Sequence, residues 1–215
     1  MRGLLLVAAG GLTREVLQVL RLTGEHARAL VLDDDPDRWG QTLDGRRVVG
    51  GLDLVTEYDD HGLLVCAGKG ATRQLLTERL ASLGVEESRY ATVVHPRVHV
   101  PAGCSIGRGS VLLEGVVMTA DVQLGEHVVA MPHVTLTHDD VVDDYATLCA
   151  GVTLGGGVHV GASAYLGMRS CVRENVRVGA GSLLGMGSVL LKDLPAGGRW
   201  AGVPAAPMRA RVVGG

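Results

Sequence analysis

The sequence predicts two architectures in one chain: a small parallel α/β unit followed by a β-solenoid. Three observations carry that prediction. Apolar runs alternate with helix-like stretches over residues 1–90. From Val94 to Leu190 an apolar residue returns at every sixth position. The composition is 47% hydrophobic yet holds 32 glycines and no phenylalanine, so the core must be built from aliphatic side chains and closely turned backbone.

The first unit opens with Leu4 to Ala8, read as a buried strand; the run is too short for a signal peptide and leads directly into Arg14 and Glu15. Leu12 to Leu22 has helical periodicity, with Val16, Leu17 and Leu20 on one side. Ala29 to Leu32 is a second strand that ends in Asp33-Asp34-Asp35-Pro36. Leu63 to Cys66 is a third, followed by Gly68-Lys69-Gly70 and a helix over Thr72 to Leu83. Strand and helix alternation of this kind makes a parallel sheet. Gly10-Gly11 falls where the first strand passes into the first helix, a place where helix N–H groups can hold a phosphate. The spacing there is not that of the dinucleotide fingerprint G-x-G-x-x-G, and Lys69 is followed by Gly rather than Ser or Thr, so neither NAD nor a P-loop nucleotide is supported.

The second unit is defined by its period. Seventeen hexads keep one apolar phase from Val94 through Leu112, Leu136 and Leu166 to Leu190 without an insertion. Chance produces such a run about once in 10⁵ sequences of this composition. The next position is Gly at 107, 125, 155, 161, 167, 179 and 185. Six residues make a short strand and a turn, too little to bury a face alone. Stacked units share one interior column, and glycine is expected to permit the corners.

Composition also excludes partners. With 3% aromatic residues there is no stacking platform for single-stranded nucleic acid. A net charge of −3 gives no electrostatic support for nucleic acid or an anionic membrane. No apolar run reaches the length of a membrane span, about 20 residues. The four cysteines are scattered, without C-x-x-C, which suits reduced thiols and a cytoplasmic location.

Taken together, Ala9-Gly10-Gly11, Leu32-Asp33-Asp34-Asp35, Val94-His95-Pro96, Leu136-Thr137-His138-Asp139, Lys192-Asp193-Leu194-Pro195 and Gly202-Val203-Pro204-Ala205, in that order, resemble the bacterial hexapeptide-repeat sugar acyltransferases. That family includes the nucleotide-aminosugar N-acetyltransferases and the sialic-acid O-acetyltransferase-like proteins. The resemblance implies a Rossmann-like α/β nucleotide-sugar-binding domain at 1–90 and a left-handed parallel β-helix at 91–195. It implies a tail at 196–215 packed on the solenoid and a homotrimer with active sites between subunits. It also implies acetyl-CoA as donor, a nucleotide-linked amino sugar as acceptor and no metal; O-acetylation of a sugar is the alternative within the same fold.

The implied chemistry turns on His138 as general base, with Asp139 orienting the ring and raising its basicity. Solenoid backbone N–H groups are expected to face the oxyanion. Acetyl-CoA is expected along Thr147, Gly167, Met168, Gly185 and Met186. The nucleotide sugar is expected at Gly10, Gly11 and Leu12, with Asp33 and Asp34 near the base or ribose and Gly51 beside them. Three places depart from the family pattern. Thr147 stands where many relatives carry a second histidine, and Met131-Pro132-His133 replaces Asn-Thr-Gly. Asp140 fills an interior position usually small or apolar, where a carboxylate must be hydrogen-bonded or protonated.

Two other classes compete. His133 and His138, with Asp139, Asp140, Asp143 and Asp144, invite comparison with zinc carbonic-anhydrase-like solenoids, whose third ligand would have to be His95, His99, His127 or His159. Zinc content after dialysis separates that reading from acetyl transfer. A structural scaffold or ice-binding solenoid needs regular threonine columns, which the hexads lack, and leaves the α/β unit unexplained.

Overall fold

The computed structural model describes residues 3–208. Its first part is a five-stranded sheet. The strands are β1 (Leu4–Val7), β2 (Ala29–Leu32), β3 (Thr42–Leu43), β4 (Arg46–Gly50) and β5 (Gly62–Val65), with α1 (Gly11–Thr23) and α2 (Gly70–Ser82) as the long helices. The order across the sheet is β3-β4-β2-β1-β5, parallel except for the β3–β4 hairpin. That hairpin is not anticipated by the apolar runs. Its signal is Asp44-Gly45, both with positive φ (45° and 80°), the turn that suits a two-residue hairpin loop. Helix α1 buries Leu12, Val16, Leu17, Val19 and Leu20 and stops at Gly24, whose φ of 80° forms a left-handed cap.

The second part is a left-handed parallel β-helix, as the resemblance implies. Each coil contributes one two-residue strand to each of three sheets. The first sheet runs from Val93–Val94 through Val129–Ala130, Thr147–Leu148 and Tyr165–Leu166 to Leu183–Leu184. Arg199–Ala201 and the antiparallel Ala206–Pro207 extend it. The second sheet runs from Val117–Met118 to Val189–Leu190, and the third from Ser105–Ile106 to Arg177–Val178. Partners in neighbouring coils are 18 residues apart, as in Val129 with Thr147. The hexad residues Leu112, Leu136, Leu148, Leu166 and Leu184 form one buried column. Val100 alone among the hexad residues is outside any strand and is 38% exposed. The next residue is Pro101, which has no N–H for the ladder.

The corners differ from the glycine expectation in an instructive way. The left-handed backbone falls three residues after the apolar position and is held both by glycines such as Gly157 (φ 70°) and by Asp121, His127, His133, Asp139, Tyr145 and Arg169. The glycines directly after the apolar position serve close stacking instead. A Cβ at Gly167 would lie 2.5 Å from the Met186 nitrogen in the next coil.

The two parts share a core. Leu4, Leu6, Val16 and Leu20 of the α/β unit form one apolar cluster with Val93, Val111 and Val129 of the first sheet. The α/β unit therefore sits on that face of the solenoid. Residues 209–215, the end of the expected 196–215 tail, lie outside the described residues.

Candidate functional site

His138 and Asp139 lie on the turn that joins the second sheet to the third, after Thr135–Leu136 and before Val141–Val142. Their side chains are 68% and 67% exposed, and His138 Nδ1 donates to Asp139 Oδ2 at 2.8 Å. That bond leaves Nε2 with the lone pair, the arrangement a general base needs. The hydrogen bond to Asp139, together with its charge and that of Asp140, raises the His138 pKa above the ordinary histidine value. The ring lies against Gly156, one coil further along, where a Cβ would collide with Nε2. Sequence reasoning missed Gly156; the signal was a glycine 18 residues after the histidine, one full coil.

The buried carboxylate of Asp140 is hydrogen-bonded. Its oxygens accept from the amides of Thr137 (2.8 Å) and Val158 (2.9 Å). Burial nevertheless raises its pKa to about 6, against the pull of those two amides and of His138.

Residues expected at the donor site are split between two places. Met168 and Met186, 49% and 71% exposed, stack on the corner that joins the first sheet to the second. With Ala150, Arg169 and Gly187 they line a shallow depression of about 410 Å³. Gly167 and Gly185 give their amides to the ladder, bonding Leu184 and Trp200 carbonyls, and contribute closeness of packing there. Thr147 is elsewhere: it is fully buried under the α/β unit, donates to the Gly68 carbonyl at 3.0 Å and accepts from Arg73. Its hydroxyl has no open surface toward a ligand, because the domain contact covers that strand.

The loop expected to hold the nucleotide sugar is assembled at the carboxyl ends of β1, β2 and β4. In this sheet β1 lies between β2 and β5, with its crossovers leaving on either side. The crevice beside its carboxyl end is where open α/β sheets take ligands. Gly10 caps α1 without a side-chain acceptor, and neither Gly10 nor Gly11 has anything within 4 Å of its Cβ position. Leu12 is 5% exposed and belongs to the core, so only its backbone reaches the crevice. Asp33 accepts from the amides of Ala9 (2.6 Å) and Asp35 (2.9 Å), fixing the loop. Asp34 accepts from Leu52 (3.1 Å) and pairs with Arg79, while Gly51 packs over Asp34 and Trp39. Both carboxylates are engaged within the protein.

A buried cation locks the two parts together. Arg73 of α2 is fully buried and donates to the carbonyls of His127 (2.9 Å), Ala67 (2.8 Å), Gly68 (3.2 Å), Tyr145 (2.8 Å) and Ala146 (3.0 Å). Burial lowers its pKa to about 10, so it stays protonated at neutral pH. Beside it the His127 ring stacks on Tyr145 at 5.0 Å, and burial and Arg73 push its pKa down to about 4. His127 is thus a neutral core residue. Next to this lock, a cleft of about 530 Å³ opens between the start of α2 and the first sheet, with Lys69, Ser163, Tyr165 and Arg199 in its wall.

His133 lies on the corner before the second sheet and His138 on the corner after it, at opposite edges of that face. Among the described residues, no three of His, Cys, Asp or Glu gather where one ion could take them all.

No family model matches the sequence. Solved structures do. The acetyltransferase domain of PglB from Neisseria gonorrhoeae is 28% identical, with 97% of this chain and 100% of that one covered at a TM-score of 0.88. Perosamine N-acetyltransferase from Caulobacter crescentus, solved as a histidine variant with CoA and GDP-perosamine, is also 28% identical; 97% of each chain is covered at a TM-score of 0.88. WeeI from Acinetobacter baumannii is 25% identical, with 96% of this chain and 99% of that one covered at a TM-score of 0.80. The PglB domain has been solved with acetyl coenzyme A as well.

Proposed function

We propose that this chain, a hexapeptide-repeat sugar acyltransferase by its repeat, its domain order and its structural likenesses, moves the acetyl group of acetyl-CoA to the amino group of a nucleotide-linked amino sugar. The observation that carries the proposal is the exposed His138–Asp139 pair on a solenoid corner. The chain around it matches, over 97% of its length, an enzyme solved with CoA and GDP-perosamine.

The amine nitrogen attacks the thioester carbonyl while His138 Nε2 takes its proton. The tetrahedral oxyanion collapses, the carbon–sulfur bond breaks, and the imidazolium returns the proton to the CoA thiolate. Asp139 holds the ring by Nδ1 throughout. Gly10 and Gly11 present the start of α1 to the sugar nucleotide's diphosphate. Asp33, Asp34 and Gly51 shape the wall of that crevice, and the backbone of Leu12 continues it. Met168, Met186 and the close-packed Gly167 and Gly185 give the donor an apolar track along one corner. Thr147 lies off that track, buried beneath the α/β unit, where it anchors Gly68.

We propose a homotrimer as the assembly that this reading needs. The α/β unit covers the first sheet, and His138 occupies the corner between the other two, the edge of the prism away from that unit. In this reading the base of one chain serves the acceptor loop of its neighbour. A homotrimer in which each His138 meets a neighbour's loop and donor corner completes three equivalent sites. Four cysteines without disulfides support a cytoplasmic location for this work. Among the described residues no helix is long and apolar enough to cross a membrane.

The test is release of the CoA thiol from acetyl-CoA with a panel of nucleotide-linked amino and hydroxy sugars. Turnover with an amino sugar, and its loss by about 10²- to 10⁴-fold in His138→Ala with unchanged melting temperature, is the expected result. Release stimulated only by hydroxy sugars replaces N- with O-acetylation. No release with any acceptor, or full activity in His138→Ala, removes the proposal.

A further inference from the structure

Asp140 follows His138 by two residues and points into the solenoid. At the same corner the coils before and after carry Val122, Val158 and Val176, and all four side chains are buried. The fold by itself is better served by valine here, since burying a carboxylate has a cost that burying a methyl does not. What the carboxylate does is visible in the backbone around it.

In neighbouring coils the residue that opens this turn gives its amide to the next coil. Thr119 donates to Leu136 O (3.2 Å), Gly155 to Val172 O (2.9 Å) and Arg173 to Leu190 O (3.0 Å). Thr137 breaks the series: its amide goes to Asp140, and its hydroxyl, not its amide, donates to Leu154 O at 3.1 Å. The ladder of the second sheet records the change. Thr135–Leu136 pairs with the strand before it through both residues, but with the strand after it through Thr135 alone. The next two steps of that sheet again pair through both residues. The ladder therefore opens by one bond directly under the turn that carries His138. Through Val158, the other carboxylate oxygen ties the same turn to the coil that holds Gly156.

We infer that Asp140 is a positioning residue for the base: its carboxylate draws the 137–140 turn away from the ladder, clamps it to the next coil and so sets where the His138 ring rests on Gly156. The inference deepens the proposed role of His138 and rests on it. The charged groups facing this carboxylate are His138 and Asp139 on its own turn; Thr137 and Val158 present only amides.

Asp140→Val restores the residue of the flanking coils, and Asp140→Asn keeps the shape with one acceptor fewer. Each is compared with the wild-type chain in four measurements: amide hydrogen exchange at Thr137 and Val158, NMR titration of His138, melting temperature between pH 4 and 7, and steady-state kinetics. In Asp140→Val the Thr137 amide is expected to pair with Leu154 and the His138 ring to titrate lower. kcat is expected to fall about 10- to 100-fold, the effect of a misplacement of an ångström or less, with both KM values within about twofold. Asp140→Asn should fall between the two.

The melting profile has a definite sign. The folded carboxyl ionises near pH 6 and the unfolded one near 3.8, so the unfolded chain holds fewer protons in that window. The contribution of Asp140 therefore falls as pH rises from 4 to 6, opposite in sign to that of buried His127, so the stability of the wild-type chain relative to Asp140→Val falls across that range. A folded Asp140→Val with wild-type kcat overturns the inference. If the wild-type chain transfers no acetyl group, the reading of His138 fails separately. The exchange and titration arms then decide, and unchanged Thr137 exchange with an unchanged His138 titration overturns the positioning role.

Discussion

The loop proposed for the acceptor in the α/β unit and the His138 corner of the solenoid are built on opposite plans. In the loop every carboxylate is already engaged: Asp33 holds Ala9 and Asp35, and Asp34 holds Leu52 and Arg79. What remains for a ligand is backbone and the open start of α1. At the corner the reverse holds, because two polar side chains stand 68% and 67% exposed, paired with each other. One region offers the backbone surface proposed to grip a diphosphate and no group proposed to move a proton. The other has the proton-moving group and no walls. The difference is what the proposed homotrimer answers, with rigid parts that meet between copies rather than a pocket enclosed by one chain.

The contact that keeps the two regions in register is the first place to break. Arg73→Leu removes a cation from among carbonyls that then stay buried without donors. A loss of about 3–5 kcal/mol is expected, with the α/β unit melting separately from the solenoid. Calorimetry checks it, and a single transition at the wild-type temperature contradicts the lock. On the solenoid side, Gly156→Ala puts a methyl where the His138 ring lies. The expected result is a kcat lower by about 10- to 100-fold with unchanged acetyl-CoA KM, read in the same thiol-release assay.

A smaller effect sharpens the electrostatic half of the comparison. The base must be neutral to act, so kcat/KM rises with pH through a His138 pKa that Asp139 holds above the usual value. Asp139→Asn removes that support; the acid limb should move to lower pH while the plateau falls about 10-fold. An acid limb that stays in place means another group titrates.

Much of this was legible in the sequence, for physical reasons that vary by element. The hexad phase from Val94 to Leu190 appears as a buried column because a six-residue unit has only one inward apolar site to fill. The first break, at Val100, is explained by the missing N–H of Pro101. The β3–β4 hairpin was hidden because its strands are two and five residues long, and its only signal is Asp44-Gly45. His138, Asp139 and Asp140 stood out by residue type. Gly156, Arg73 and the burial of Thr147 did not, since each depends on a contact between coils or between the two parts. Thr147 shows the limit most clearly. The resemblance implies a ligand contact at its position, yet the α/β unit takes the surface it would have used.

The sharing of sites between copies is tested most directly by mixing two disabled chains. His138→Ala keeps the acceptor loop and lacks the base. Gly10→Asp keeps the base, caps α1 with a carboxylate and so repels the diphosphate. Each alone is expected to be inactive. After dissociation and reassembly of equal amounts, a site with a good base from one copy and a good loop from its neighbour forms with a chance of about one in four. The account predicts recovery of about a quarter of the wild-type activity. A mixture that stays as inactive as its parts, with mixed oligomers present, contradicts it.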